Sequence, residues 1–530
     1  MNKINKILIF FVIFLLSFSS LILPSSAFFQ KINSNEQNYS NNSNWYKYQN
    51  NNQNTGCSNS NAPDTDTILW TYSPIGYVFA ESSPAVVDGK VYIGAGSMIA
   101  TGNLYCLDEY DGGLIWAYQT DGWIMSSPAY SDGKIFFGSF YDGKVHCINA
   151  ETGTFIWNYQ TDNQIFSSPV IDENKVFVGS WNFNSEIGKM LCLDSSNGDK
   201  IWIYTPDKGV ISSPAVYENK VYFGSMDGYV YCLYNSNGSL VWKNKIGNEI
   251  RSSPAIFNGN IYVGSDNGKI YCLDHTYGAK LWDFQTGGNI VSSPAIYDGK
   301  LYIGSYDKKL YCLNASTGFY LWNYSNGQKY YGSPTVSDEK VYVGTGIISP
   351  PTGMFNCIDA HNGDLIWSLS QDSGVYSSPA IANNKTYMNS KDGILYCFCD
   401  NIPPNQPERP SGKITGKPGE IYDYNTRCTD LNGDELRYGW DFNSDKTVDI
   451  WTDFFPSGEN INISYSWQEK GIYFVRVKAE DAGGFQSKWS KPLVVTITKS
   501  KTIKNSFFTS RFPLFEKIIQ FILTPLLIYR

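Results

Sequence analysis

The sequence predicts an all-β chain: an eight-bladed β-propeller followed by an immunoglobulin-like β-sandwich. Three observations carry this reading. A Trp recurs eight times at spacings of 40 to 46 residues, as Trp70, Trp116, Trp157, Trp202, Trp242, Trp282, Trp322 and Trp367. Around each Trp the same elements return: a Ser-Ser-Pro or near copy, a Val-Tyr-x-Gly-like strand, and a Cys, from Cys106 in the first unit to Cys397 in the last. The runs between them alternate apolar with small or polar residues and are separated by Asp-Gly, Asn-Gly and Thr-Gly pairs that favour tight hairpins. Four short strands cannot bury both faces of one sheet, so the copies must stack, and a closed ring removes the exposed ends.

The phase of the repeat says how the ring closes. The strand around Trp70 precedes the first Ser82-Ser83-Pro84, whereas the last copy ends after Cys397 with no Trp strand behind it. The Trp70 strand is therefore expected to complete the eighth blade, so that residues 67–400 form one ring with no open sheet edge at the seam. With strands about 4.8 Å apart, the Cys strands of neighbouring blades lie roughly 13 Å from one another. A disulfide needs Cα atoms within about 7 Å, so the eight repeat cysteines are expected to be buried thiols. Cys57 and Cys399 lie outside this register, and ring closure brings their segments to one blade, where a disulfide is conceivable.

The flanks read differently. Lys3 and Lys6 precede an apolar stretch from Ile7 to Leu23, and Ser25-Ser26-Ala27 has the small residues a signal peptidase reads, so residues 1–27 are expected to be a signal peptide cleaved near Ala27. Residues 28–66 are Asn-rich and aperiodic, which predicts a flexible linker. The tail, residues 499–530, is apolar but interrupted by Pro525, too short a run to span a bilayer, and fits peripheral or tail-mediated membrane association. A formal net charge of -8 without a basic stripe argues against a nucleic-acid partner.

The unit Ser292-Ser293-Pro294-Ala295-Ile296, Asp298-Gly299-Lys300-Leu301-Tyr302-Ile303-Gly304-Ser305, Leu310-Tyr311-Cys312-Leu313-Asn314 and Leu321-Trp322 resembles the repeat of pyrroloquinoline-quinone-type (quinoprotein-like) propellers. That family includes quinoprotein alcohol dehydrogenases and the propeller lipoprotein of the outer-membrane barrel assembly machinery. The resemblance implies that the eight Trp dock between blades as structural residues. Enzymes of the family hold a quinone under a vicinal Cys-Cys disulfide, with Ca²⁺ on acidic and amide side chains and an Asp base. Here no two cysteines are adjacent, and three His in three different repeats make no catalytic constellation. No catalytic residue is assigned, and neither the quinone nor another cofactor is expected in the propeller.

Where the repeats differ, function is expected. The residue before each Ser-Pro element enters the central channel, and such loops carry function on rigid scaffolds. Trp123, Phe166, Tyr330, Tyr331 and Tyr376, with Arg251, predict an aromatic mouth with one cation, suited to a peptide, a sugar or a partner's loop.

After Asn401 the texture changes: a Pro-rich linker leads into residues 403–498, about seven short strands in the size range of an immunoglobulin-like sandwich. Thr429-Asp430-Leu431-Asn432-Gly433-Asp434, Trp440-Asp441-Phe442 and Gly471-Ile472-Tyr473-Phe474-Val475 resemble the polycystic-kidney-disease-type (PKD) domain, which implies an extracellular spacer or adhesion module. Two acidic turns offer alternating oxygens to a hard cation such as Ca²⁺: Asp430, Asn432 and Asp434, and Asp441, Asn443, Asp445 and Asp449.

Together these features point to a secreted or cell-surface, non-catalytic binding or scaffold protein whose partner is a protein or glycan of the envelope. A quinone-dependent dehydrogenase and a purely structural envelope component are the alternatives.

Overall fold

The computed structural model describes residues 44–74, 81–96, 101–348 and 351–498; the expected signal peptide and apolar tail lie outside them. The described residues contain strands and turns and no helix. The chain divides between Asp400 and Asn401 into two compact units.

The first unit is a β-propeller of four-stranded antiparallel sheets, eight of them among the described residues. In the first sheet the strands are Ala85–Val87, Lys90–Gly96, Gly102–Asp108 and Leu114–Thr120, in spatial order. The two-residue turn joining the first two strands has both residues at positive φ, Asp88 at 50° and Gly89 at 75°, the turn whose twist matches paired strands. Across each sheet one register recurs: Tyr92 pairs with Cys106 and Cys106 with Trp116. In the last sheet Tyr387 pairs with Cys397 and Cys397 with Trp70, because the strand Ile68–Tyr72 joins Ala380–Ala382, Lys385–Ser390 and Ile394–Phe398 as their outer neighbour.

The Ser-Ser-Pro element has two separate tasks. Its first Ser ties the inner strand to its own sheet, as where Gly94 N–H donates to Ser82 Oγ at 3.1 Å and Gly138 N–H to Ser126 Oγ at 2.8 Å. Its second Ser ties each sheet to the next. Ser83 N–H donates to Ser127 Oγ, Ser127 to Ser168, Ser168 to Ser213 and Ser213 to Ser253, all within 3.0 Å. Ser253 then donates to Ser293, Ser293 to Ser333, Ser333 to Ser378, and Ser378 back to Ser83 at 2.9 Å. The Pro that follows has no N–H to leave unpaired at the start of the inner strand.

The Trp rings bridge sheets farther out. Trp70 lies on Gly112 and Trp116 on Gly153, where any Cβ would collide with the indole at 2.7 and 2.6 Å. Trp70 Nε1 donates to Glu109 O and Trp116 Nε1 to Ala150 O. Trp367 differs: its neighbour is the last sheet, whose outer strand comes from the other end of the chain, so no strand-to-strand turn faces it. It packs instead against Phe355 and Phe398. The seam has a further polar lock. Buried Glu109 accepts hydrogen bonds from Asn383 Nδ2, Lys385 Nζ and Tyr387 Oη, all from the last sheet.

The Asn-rich stretch departs from the expectation of a flexible linker. Residues 44–62 form a strap that touches the inner strand of every sheet. Trp45 exchanges two backbone hydrogen bonds of 2.7 Å with Val86, and Tyr130 N–H donates to Tyr46 O. Asn52 Nδ2 donates to Ile171 O, and Val216, Ile256, Ile296 and Val336 N–H donate to the carbonyls of Asn52, Gln53, Thr55 and Gly56. Ser58 Oγ closes the circuit on Ile381 O. Inner strands otherwise end in unpaired backbone, and the strap satisfies it. Asn side chains serve because each carries both a donor and an acceptor: Asn54 Nδ2 reaches Pro214 O and Pro254 O, while its Oδ1 accepts from Lys47 Nζ. Burial lowers the Lys47 pKa to about 7.

All eleven cysteines are thiols, including Cys57 and Cys399, so the disulfide conceivable between those two is not formed. Cys57 is hydrogen-bonded to Thr55 within the strap. Burial pushes repeat thiols such as Cys106 and Cys232 up to about 12 and raises that of Cys397 as well.

The second unit has a three-stranded sheet, Ser411–Gly412, Tyr422–Arg427 and Asn460–Tyr465. Its five-stranded sheet runs Thr415–Gly416, Leu493–Ile497, Gly471–Asp481, Leu436–Asp441 and Ile450–Trp451. Strict alternation along Tyr422–Arg427 sends Tyr422, Tyr424 and Thr426 inward. Tyr424 and Ile461 from one sheet share a core with Trp440, Val475 and Val477 from the other.

Three outcomes test this architecture. Glu109→Ala leaves Lys385 buried without its carboxylate and should lower stability by about 3–5 kcal/mol in denaturant titration. Lys47 binds its proton more weakly folded than unfolded, so stability should rise as pH climbs from about 7 towards 10.5, and Lys47→Met should flatten that rise. The repeat thiols should ignore a thiol reagent in the native protein, while at least eight react in denaturant without reductant; disulfides among them would contradict the register.

Candidate functional site

The mouth of the central channel is built by two classes of loop. One leads from each outer strand to the next inner strand and ends on the residue before the Ser-Pro element. The other is the hairpin between the second and third strands of each sheet, which rises at the same end. Sequence reasoning considered the first class alone.

From the first class, Phe166, Arg251, Tyr331 and Tyr376 are half-buried at the mouth, each one position before the serine pair or its Gly-Ser equivalent. Glu81 holds the same position before Ser82-Ser83 and is solvent-exposed. It was legible by register and is the acidic member of the set. Tyr330 is corrected: it is fully buried, occupying the place that Ile124, Ile250 and Ile290 take in other repeats. A Cβ on Gly304 would meet Tyr330 Cβ at 2.4 Å, as one on Gly264 would meet Ile290 Cγ2 at 2.2 Å, so this position is a core plug resting on a glycine.

One side of the mouth is aromatic. Trp123 meets Tyr141 with ring centroids 5.7 Å apart, and Phe140 meets Tyr141 at 4.7 Å and Phe166 at 4.5 Å. Phe166 continues to Trp181 at 5.9 Å, which packs on Phe183 at 4.0 Å. Tyr141 and Phe183 come from the hairpin loops and are 55% and 51% exposed, so this side is a platform rather than a filled core. Trp123 lies over Gly96 and Trp181 over Gly209, where a side chain would push the indoles off the surface.

The other side is tyrosine and charge. Tyr331 stands 4.7 Å from Tyr306 and 4.5 Å from Tyr376, centroid to centroid. Lys329 Nζ lies 5.1 Å over the Tyr306 ring and Lys391 Nζ 5.0 Å over the Tyr376 ring. Arg251 grips Asp266 through Nε and Nη2, a bidentate pair. Although part of its side chain meets solvent, the crowded mouth desolvates the Glu81 carboxyl and raises it above its ordinary range, and the charges of Lys391 and Arg251 pull it back. Three cations rather than the expected one therefore serve the mouth, two of them on residues outside the repeat's variable position.

The acidic turns of the second unit part company. In the second run every carboxylate is filled by donors. Asp441 accepts from Ser444 N–H and Lys446 N–H, Asp449 from Phe442 N–H and Asn443, and Asp445 from Thr447 and Asn443. Arg476 adds a guanidinium 3.4 Å from Asp441. These hydrogen bonds shape a turn. In the first run Asp430 and Asp434 converge with Asp481, with one carboxylate oxygen from each lying within 4.8 Å of the others. Asn432 Oδ1, in the same run, accepts Ile402 N–H at 3.0 Å.

No curated protein matches the chain. Among solved structures, a europium-containing methanol dehydrogenase aligns with a TM-score of 0.57 and 14% identity over 65% of this chain and 89% of that one. The quinohemoprotein alcohol dehydrogenase of Comamonas testosteroni aligns at 0.56 and 14% over 67% and 80%. BamB from Moraxella catarrhalis aligns at 0.52 and 20% over 63% and 97%. At these identities the likeness is one of fold, the propeller. Residues 59–165, 137–228 and 226–349, together more than half of the 530-residue chain, match the model of the family described as outer membrane protein assembly factor BamB, and the chain belongs to that family of propeller repeats.

Proposed function

We propose that this is an exported, non-catalytic binding or scaffold protein of the cell surface. Its ring is an eight-bladed propeller whose mouth receives a protein or glycan partner of the envelope, and its second unit is an immunoglobulin-like, PKD-type spacer or adhesion module. The observation that carries the reading is the divided mouth, with an exposed aromatic platform on one side and tyrosines with lysine and arginine on the other. Such a surface takes an apolar group and an anionic or hydroxyl-rich group side by side. The floor supports it too: the strap reaches up to the serine ring, with Tyr48 Oη 2.9 Å from Ser293 Oγ and from Ser333 Oγ. The variable mouth residues stand only two positions before those serines, roughly 7 Å of strand. A dish that shallow suits a partner's surface loop or a sugar end, not a threaded chain.

The rival dehydrogenase reading meets a poor fit. A quinone seated under a vicinal disulfide needs adjacent cysteines, and the nearest approach, Cys397 and Cys399, is two buried thiols separated by Phe398. Asp266, an acidic side chain beside the mouth, is already bound by Arg251.

The test combines capture with chemistry. Wild-type protein incubated with envelope extract should retain a partner identified by mass spectrometry, and the double variant Tyr141→Ala/Phe183→Ala should lose it at least tenfold. Phe319→Ala, an exposed ring beside an outer strand, should retain it. Adding pyrroloquinoline quinone with Ca²⁺ should give no dye-linked alcohol oxidation; saturable turnover, or equal capture by the mouth variant, would overturn the reading.

A further inference from the structure

The convergence of Asp430, Asp434 and Asp481 has a cost that the fold relieves only in part with donors. Asp430 is 8% exposed and Asp481 fully buried, while Asp434 is half-buried and opens the trio to solvent. One Asp430 oxygen accepts Asn432 N–H at 2.7 Å and, more loosely, Asp434 N–H at 3.4 Å. The other, Oδ2, is buried with no hydrogen-bond partner. Asp481 accepts Phe485 N–H at 2.8 Å on one oxygen and Asn401 Nδ2 at 2.9 Å on the other. Its carboxyl is nonetheless raised above the ordinary range, by burial first and then by the charges of Asp430 and Asp434. An orphaned carboxylate oxygen beside two further carboxylates is unfavourable unless positive charge joins them.

We propose that this trio is a binding site for a hard divalent cation, Ca²⁺ in preference to Mg²⁺. Three carboxylates supply oxygen ligands and charge, and the open side at Asp434 leaves room for the waters that complete six to eight ligands. A cation of this size tolerates the irregular geometry of a turn meeting a strand, whereas Mg²⁺ demands a near-ideal octahedron. The turn Asp430–Asp434 and the end of the strand Gly471–Asp481 are far apart in sequence. The same residues hold the start of the unit, since Asn401 Nδ2 bonds Asp481 and Ile402 N–H bonds Asn432. Bound cation therefore fastens three segments of this unit at one point, independently of what the propeller binds.

The test uses the full chain, stripped with chelator and titrated with CaCl₂ or MgCl₂ by calorimetry, alongside thermal melting. One Ca²⁺ site is expected, with at least tenfold weaker Mg²⁺ binding. A hundredfold excess of Ca²⁺ over its Kd should raise the midpoint of the second unit by roughly 10 °C. Asp481→Asn and Asp430→Asn should each weaken Ca²⁺ binding at least tenfold. In the metal-free state Asp430→Asn should melt no lower than wild type, because an amide can take the place of the unpartnered Oδ2 while Oδ1 keeps its donors. Asp445→Asn, from the donor-filled turn, should bind as wild type does. Absence of binding heat and of a melting shift in wild type, or retention of both in Asp481→Asn, would overturn the proposal.

Discussion

The closed circle of serines is the constraint on which the propeller depends. Each second Ser of the Ser-Ser-Pro element gives its N–H to one neighbour and its Oγ to the other, so every sheet is both donor and acceptor at the axis, and the circuit ends on the residue where it began. A hydrogen bond contributes about 1 kcal/mol net, but an unmade one in this buried place costs more. The spacing of sheets around the axis is thereby set to one narrow distance, and the other inter-sheet contacts follow. The indoles fall on the glycine turns, and the plug residues fall on the glycines of the second strands.

The seam shows how a ring made from one linear chain compensates for its break. The Trp70 strand restores the register, and Ser378 completes the serine circuit. Glu109 places a buried carboxylate where two of the other sheets have Ala150 and Ala315 at the equivalent turn. One irregularity remains, on the far side of the break, where Trp367 has no glycine turn to rest on and phenylalanine takes its place. The strap belongs to the same logic, since its two ends contact the inner strands on either side of the seam.

How much of this the sequence displayed depends on which atoms make the contact. Strand phase, the Trp–Cys register and the role of the Trp70 strand are side-chain patterns repeated at fixed spacing, and all were legible. The mouth was legible by half, because Phe166, Arg251, Tyr331 and Tyr376 sit at a repeated position, whereas Tyr141, Phe183, Tyr306 and Lys391 lie in hairpins whose length varies from sheet to sheet. Tyr330 misled because an aromatic residue there fills the slot of an Ile. The strap was invisible, since its partners are backbone edges and its Asn residues carry the composition of a disordered tether. Asp481 was missed as a ligand because nothing in the spacing of Asp430 and Asp434 points to a strand end so distant in the chain. The second acidic run looked better than the first, and only the donors around Asp441 and Asp449 explain why it is a turn.

The strap has a consequence for the order in which the molecule assembles. It is the first described segment to be synthesised, yet its binding surface is the complete set of inner strands, from Val86 to Ile381. Contacts such as Asn54 with Pro254 and Ser58 with Ile381 close loops of 200 and 323 residues. Loop closure of that kind is slow, and no partial ring presents the whole surface. Residues 44–62 must therefore stay solvated while the sheets form and dock last, and a polar, Asn-rich segment without strand propensity can wait in that state without pairing prematurely with a growing sheet edge.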